Sequence, residues 1–233
     1  MNASLISGIT MAGLLLAPVA LAEKDEKEAA PVTYKAPNRA FEIQSGSAFV
    51  QGFGGISKNR EAGLRDLGKG SLSGQLGLGY RLDPKWMIGV YGEFGRYGRG
   101  DSVASSSKVY GAAAGVQAQY HLLPFDQVDP WIGLGTGWRG YWVNDEQRGT
   151  QAMHGWDMLR VQLGVDWHAT EWLSLVPNAG ATMTMFLTEQ GVGETSFSSV
   201  TDPRLNTFVF AGIGGRFDIG GRVSKEPGEV ASR

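Results

Sequence analysis

A chain of 233 residues with a net charge of -2, 42% hydrophobic residues and no cysteine has the length of one full-sized domain and excludes both a disulfide framework and a thiolate metal site. That charge balance provides no basic surface to steer nucleic acid, and beyond the first two dozen residues no apolar run approaches the ~18 residues of a membrane helix. The 35 glycines beside seven tryptophans, with no period of three, argue against collagen and against long helices.

Residues 1–22, MNASLISGITMAGLLLAPVALA, hold an apolar core from Met11 to Ala17 and a small-x-small end at Ala20-Leu21-Ala22. These are features of a secretory signal peptide cleaved before Glu23, although its n-region carries no Lys or Arg. Residues 23–39 are charged and aperiodic, which predicts a disordered spacer, and residues 220–233 read as a flexible tail.

From 40 to 219 the hydrophobic pattern has a period of two. The first strand, 40–53, sets Phe41, Ile43 and Phe49 against Glu42, Gln44, Gly46 and Ala48. In 71–82, Leu72, Leu76, Leu78, Tyr80 and Leu82 oppose Ser71, Ser73, Gln75 and Arg81. In 86–97, Trp86, Ile88, Val90 and Phe94 oppose Gly89, Tyr91 and Glu93. In 109–122, Tyr110, Ala112, Ala114, Val116, Ala118 and Tyr120 oppose Gly111, Gly115, Gln117, Gln119 and His121. Then Ile132, Leu134, Thr136 and Trp138 oppose Gly133, Gly135, Gly137 and Arg139, and Leu159, Val161, Leu163, Val165 and Trp167 oppose Arg160, Gln162, Gly164 and Asp166. Leu173, Leu175, Ala181 and Met183 face away from Ser174, Asn178, Thr182 and Thr184. Last, Val209, Ala211, Ile213, Phe217 and Ile219 oppose Gly212, Gly214, Arg216 and Asp218.

That makes eight strands. The connectors 54–69, 98–108, 144–152 and 188–205 are long and polar, whereas 83–85, 123–129 and 169–171 are short or compact. Four long loops on one rim and three short turns on the other describe an all-β, eight-stranded antiparallel up-and-down transmembrane β-barrel, with loops extracellular and both termini periplasmic. A soluble, secreted, lipocalin-like ligand binder has the same alternation with its faces exchanged.

Three features favour the membrane form. Aromatics cluster at strand ends, with Tyr80, Trp86, Tyr120, Trp131, Trp167 and Trp172 near the short turns and Tyr97, Tyr110, Tyr141, Trp142, Trp156 and Phe186 near the other rim. Tyr80, Trp86, Tyr120, Trp167, Trp172, Tyr141 and Trp142 are the expected aromatic girdle. The narrow interior of eight strands suits the polar stripe better than the Leu, Trp and Phe stripe. Arg160 stands near mid-strand, where facing lipid would cost about 2–4 kcal/mol; facing inward it can pair with Glu93. Glu42, Arg81, Glu93, Arg139, Arg160, Asp166, Arg216 and Asp218 are therefore expected to form an interior polar network that fills the barrel.

On this pattern, residues 40–219 resemble the small eight-stranded outer-membrane β-barrel proteins of Gram-negative bacteria, the OmpA-, OmpX- and OmpW-like group. The last strand, FVFAGIGGRFDI, is similar to the C-terminal assembly signal of such barrels, with one departure: the group ends at an aromatic residue, and here fourteen more follow. The resemblance implies insertion by the barrel-assembly machinery, outer-membrane lipids and lipopolysaccharide as surroundings, and a monomer.

Few motifs carry chemistry. Gly135-Thr-Gly137-Trp-Arg-Gly140 matches G-x-G-x-x-G, but Tyr141, Trp142 and Val143 continue an alternating strand where a dinucleotide site needs a helix. Arg99-Gly100-Asp101 is a tripeptide that adhesion receptors read, in an outer loop, the place an adhesive sequence requires; a chance match in a polar, glycine-containing loop is the preferred account of it. Among His121, His154 and His168, only His154 lies at the outer rim, close to Asp157, where a lipid-modifying enzyme would place its base. No metal motif and no cofactor site is expected. The expectation is a non-enzymatic outer-membrane protein with a structural or surface-interaction role; a narrow pore for small solutes and a lipid-modifying enzyme are the alternatives.

Overall fold

The computed structural model describes residues 36–224 apart from 60, 61 and 171. The expected signal peptide at 1–22, with most of the 23–39 spacer and most of the 220–233 tail, lies outside the described residues.

Two-faced segments become strands because alternation lets each bury one row of side chains while the backbone pairs sideways. They are β2 (Ala40–Phe53), β3 (Gly68–Arg81), β4 (Trp86–Arg99), β5 (Lys108–His121), β6 (Val128–Asp145), β7 (Gly149–His168), β8 (Leu173–Gln190) and β10 (Leu205–Ile219). Short elements accompany them: β1 (Ala36–Asn38), α1 (Leu64–Leu67), β9 (Ser198–Ser199) and β11 (Arg222–Ser224). Each long strand pairs antiparallel with the next, and β10 closes the barrel between β2 and β8, so that Phe210 sits opposite Val50 on one side and Gly180 on the other. Closure leaves no free edge among the eight, which is what a strand needs where no water can satisfy its backbone.

The structure moves two expected boundaries. The segment 144–152, read as a long loop from its polarity, is a tight turn: β6 runs to Asp145 and β7 starts at Gly149, whose φ is +101°. Asp145 holds the turn by accepting the amides of Gln147 and Arg148 at 2.9 and 3.0 Å. At ~3.3 Å per residue and a tilt near 45°, the 20 residues of β7 rise about 47 Å, well past a ~25 Å apolar band. The tip of the β6–β7 hairpin, 144–151, thus stands clear of the apolar band, and apart from Gly149 its residues are polar. At the opposite end, Ala36–Asn38 and Arg222–Ser224 form a two-stranded sheet, so strand pairing extends into the spans read as spacer and tail.

The outward rows are apolar and exposed: Leu72 is 74% accessible, Phe41 64% and Phe94 59%. An apolar surface this extensive is far beyond what a water-soluble monomer shows. Inside, glycines on one strand accommodate large rings on the next. The indole of Trp131 lies across Gly164, its register partner, where an added Cβ would meet the ring at 2.3 Å. Gly164→Val should therefore lower stability by about 1–3 kcal/mol through overpacking, measured as a lower urea midpoint in detergent; an unchanged midpoint would mean that the indole is free to move.

Candidate functional site

The barrel lumen holds two charged clusters and an apolar plug, stacked along its axis. At the short-turn end Arg216, 1% exposed, is the hub. Its guanidinium donates to Asp166 Oδ2 at 2.6 Å, to Gln119 Oε1 at 2.6 Å and to His121 Nε2 at 3.0 Å, with Glu42 Oε2 at 3.7 Å. Asp166 also accepts the indole N–H of Trp131 at 2.9 Å. Arg81 donates to Glu42 and, at 3.0 Å, to the carbonyl of Pro84, which ties the cluster to the β3–β4 turn. His121 Nδ1 lies 2.7 Å from Asp129, whose other oxygen accepts the amide of Leu123.

Nearer the long loops, Asp157 accepts Arg139 Nε at 2.8 Å and Nη2 at 3.0 Å, a two-point fork, and takes the hydroxyl of Thr184 at 2.5 Å. Glu93 lies 3.5 Å from Arg139 and 3.3 Å from Arg160. Both cations rest on rings, Arg139 over Phe208 at 4.2 Å and Arg160 over Phe210 at 4.1 Å, which shields them from solvent at modest cost. Between the clusters Gln162 donates to Gln117 at 3.0 Å, and the space left among Gln44, Gln75, Gln117 and Asn178 is a cavity of about 20 Å³. That is room for a water molecule or so.

Above the second cluster the lumen is apolar. Val50, Tyr97, Val109, Tyr141, Met153, Phe186, Phe208 and Phe210 pack together, and Ile56, Leu64 and Leu67 from the β2–β3 connector close over them. The connector is held as a lid by α1, where Asp66 accepts the Gly63 amide at 2.8 Å. Outside this plug, at the β6–β7 turn, the Ser107 hydroxyl and the two turn amides hold the carboxyl of Asp145 down to about 2.

Of the eight residues expected in the interior network, Glu42, Arg81, Asp166 and Arg216 join the first cluster and Glu93, Arg139 and Arg160 the second, while Asp218 is half-buried at the rim. Asp157, fully buried, is the member that alternation misses. The register of β7 shifts between Asp157 and Leu159, so Met158 and Leu159 both point outward and the inward row changes from odd to even numbers. Asp129 is missed because its run reads as a turn. His154 and Asp157, three residues apart in the chain, lie on opposite faces: His154 packs outside among Trp138, Trp142 and Phe197.

The girdle expectation is corrected at Tyr141, which is 1% exposed and packs inside against Tyr97. Its odd number puts it on the inward row with Arg139; proximity to a strand end was the weaker signal. Trp131 and Tyr97 point inward on the odd-numbered inward rows of their strands, and Phe186 on the even-numbered inward row of β8 with Thr182 and Thr184. Tyr80, Trp86, Tyr120, Trp167 and Trp172 lie on the outer face, in pairs such as Phe41–Tyr80 and Trp86–Tyr120, and Trp142 is partly covered by Trp138.

The tripeptide Arg99-Gly100-Asp101 is folded down onto α1. The Gly100 amide donates to the Leu67 carbonyl, the Asp101 carboxylate pairs with Lys69 at 2.7 Å, and Arg99 donates to the Ser105 carbonyl. His121, Asp129 and Asp166 bring three ligand-type atoms within 4.8 Å of one another. Each ring nitrogen of His121 already has a partner, and the Arg216 guanidinium fills the place a cation would take.

No protein-family model matches the chain, and no curated protein matches it in sequence. Among solved structures, Neisserial surface protein A is similar, with 17% identity and a TM-score of 0.51 over 76% of this chain and 96% of that one. The outer membrane protein OprG from Pseudomonas aeruginosa shares 13% identity at a TM-score of 0.47, over 81% of this chain and 99% of its own. At such identity the likeness is one of fold: the chain is a closed, small eight-stranded barrel of the kind found in outer-membrane proteins.

Proposed function

We propose that this chain is a monomeric, non-catalytic outer-membrane barrel that seals rather than conducts, with its long-loop rim outside, both termini periplasmic, and a structural or surface-interaction role. The exposed apolar bands support lipid, including lipopolysaccharide, as its surroundings, and the closing strand supports insertion by the barrel-assembly machinery. The observation that carries the sealed state is the filled lumen: two neutralising clusters, a central gap of about 20 Å³ and an apolar plug. A hydrated ion would have to break buried guanidinium–carboxylate pairs to pass, and each buried charge left uncompensated costs about 3–5 kcal/mol.

A non-catalytic role is supported by the surroundings of the histidines. His121 is locked inside by two partners, and His154 is packed among aromatic rings on the face away from Asp157. Planar-bilayer recording of the refolded full chain should show no stable discrete openings; openings of reproducible size would overturn the sealed reading.

A further inference from the structure

We propose that the cleft between the end of β4 and the β4–β5 loop binds a phosphomonoester carried by an outer-leaflet lipid, an inference that rests on the membrane reading above. The cleft, of about 530 Å³, is lined by Arg96, Arg99, Lys108 and Ser105–Ser107, three cations and no carboxylate.

Its height on the barrel is given by its neighbours. Arg96 sits on the outward face of β4 between Leu72 of β3 and Tyr110 of β5. Leu72 is 74% exposed, and one outward step below Arg96 the ring of Phe94 stacks on Tyr110 at 6.2 Å. Aromatic rings of this kind mark the level where acyl chains give way to headgroups. Arg96 is therefore the first charge met on leaving the apolar band along β4. Lys108, two residues beyond Tyr110 on the same face, and Arg99 stand further out.

The donors are not equally free. Ser106 and Ser107 direct their hydroxyls to Asp145, Lys108 meets Glu146 at 2.9 Å on the exposed side, and Arg99 gives one N–H to the Ser105 carbonyl. Arg96 has no hydrogen bond or ion pair among the described residues. An unpaired guanidinium presents a planar fork that matches two oxygens of a phosphate. Lys108, held charged by Glu146, lies near enough to feel the Arg96 guanidinium as well, so an anion in the cleft would meet both cations. A lipid is favoured over a soluble anion because the cleft opens directly above Phe94 and Leu72, which would guide acyl chains attached to the phosphate.

The test uses the full chain in phosphatidylcholine nanodiscs containing increasing fractions of phosphatidic acid, and in parallel with inorganic phosphate, reading the amide shifts of Ser105–Ser107 by NMR. Phosphatidic acid should give a saturable shift, Arg96→Gln should raise the half-saturating fraction about fivefold and Arg96→Lys less. Inorganic phosphate should not saturate. Saturation by inorganic phosphate at comparable concentration would overturn the lipid assignment. An inserted barrel without a saturable shift would overturn this proposal alone, whereas a chain that does not enter the bilayer would overturn the membrane reading with it.

Discussion

Arg216→Met should destabilise the detergent-folded barrel by about 3–5 kcal/mol, the scale for removing one member of a buried ionic group. The guanidinium serves Asp166, Gln119 and His121 at hydrogen-bond distance and Glu42 beyond it. Methionine fills much of the volume but leaves Asp166, fully buried, with the Trp131 indole as its hydrogen-bond donor and the His121 ring at 3.8 Å. The cost therefore comes from the orphaned carboxylate more than from lost packing. Adding Asp166→Asn should recover a large part of the loss, since a neutral amide tolerates the site better. Urea titration followed by tryptophan fluorescence reads both variants. A single substitution within about 1 kcal/mol of the parent, or a double variant destabilised by the sum of the two singles, would show that the cluster is not a coupled ionic group.

The second large effect is an ordering. Asp157→Ala should cost about 3–5 kcal/mol, and Arg160→Leu less than about 2 kcal/mol. Asp157 receives both arms of Arg139 and the Thr184 hydroxyl, so its loss leaves Arg139 with Glu93 at 3.5 Å and the Phe208 ring. Arg160 makes one contact to Glu93, at 3.3 Å, and its Nε has no hydrogen-bond partner. Leucine there would keep the packing against Tyr91 and Phe210 while Glu93 retains Arg139. Thermal and urea midpoints in the same detergent rank the two variants. If Arg160→Leu proves the more damaging, the weight of the upper cluster lies on the Glu93 side instead.

Why Asp157 escaped a reading by alternation is physical. Period two assigns a face only while the register holds, and one extra residue at Met158–Leu159 reverses it for the rest of β7. Where no bulge intervenes, alternation placed side chains well: Glu42, Arg81, Glu93 and Arg216 all point inward as their numbers require. The same rule applied to Phe208 and Phe210 would have revealed the apolar plug, because both are even-numbered like Arg216; the expectation of a polar lumen overrode it. Tyr141 failed similarly, through its nearness to a strand end. The tight β6–β7 turn was hidden for another reason. A hairpin that stands clear of lipid has no apolar row, so its composition looks like loop.

The pairing of Ala36–Asn38 with Arg222–Ser224 has a topological consequence. The two ends of the described chain leave the barrel side by side, so the backbone traces an almost closed ring in which the β2–β10 seam differs from the other strand junctions only in lacking a peptide link. Joining the ends and cutting at Asp83–Lys85 would leave every strand pair intact. The final fold is thus indifferent to where the ring is opened, whereas the sequence of insertion is not, because the cut alone decides which strand arrives last.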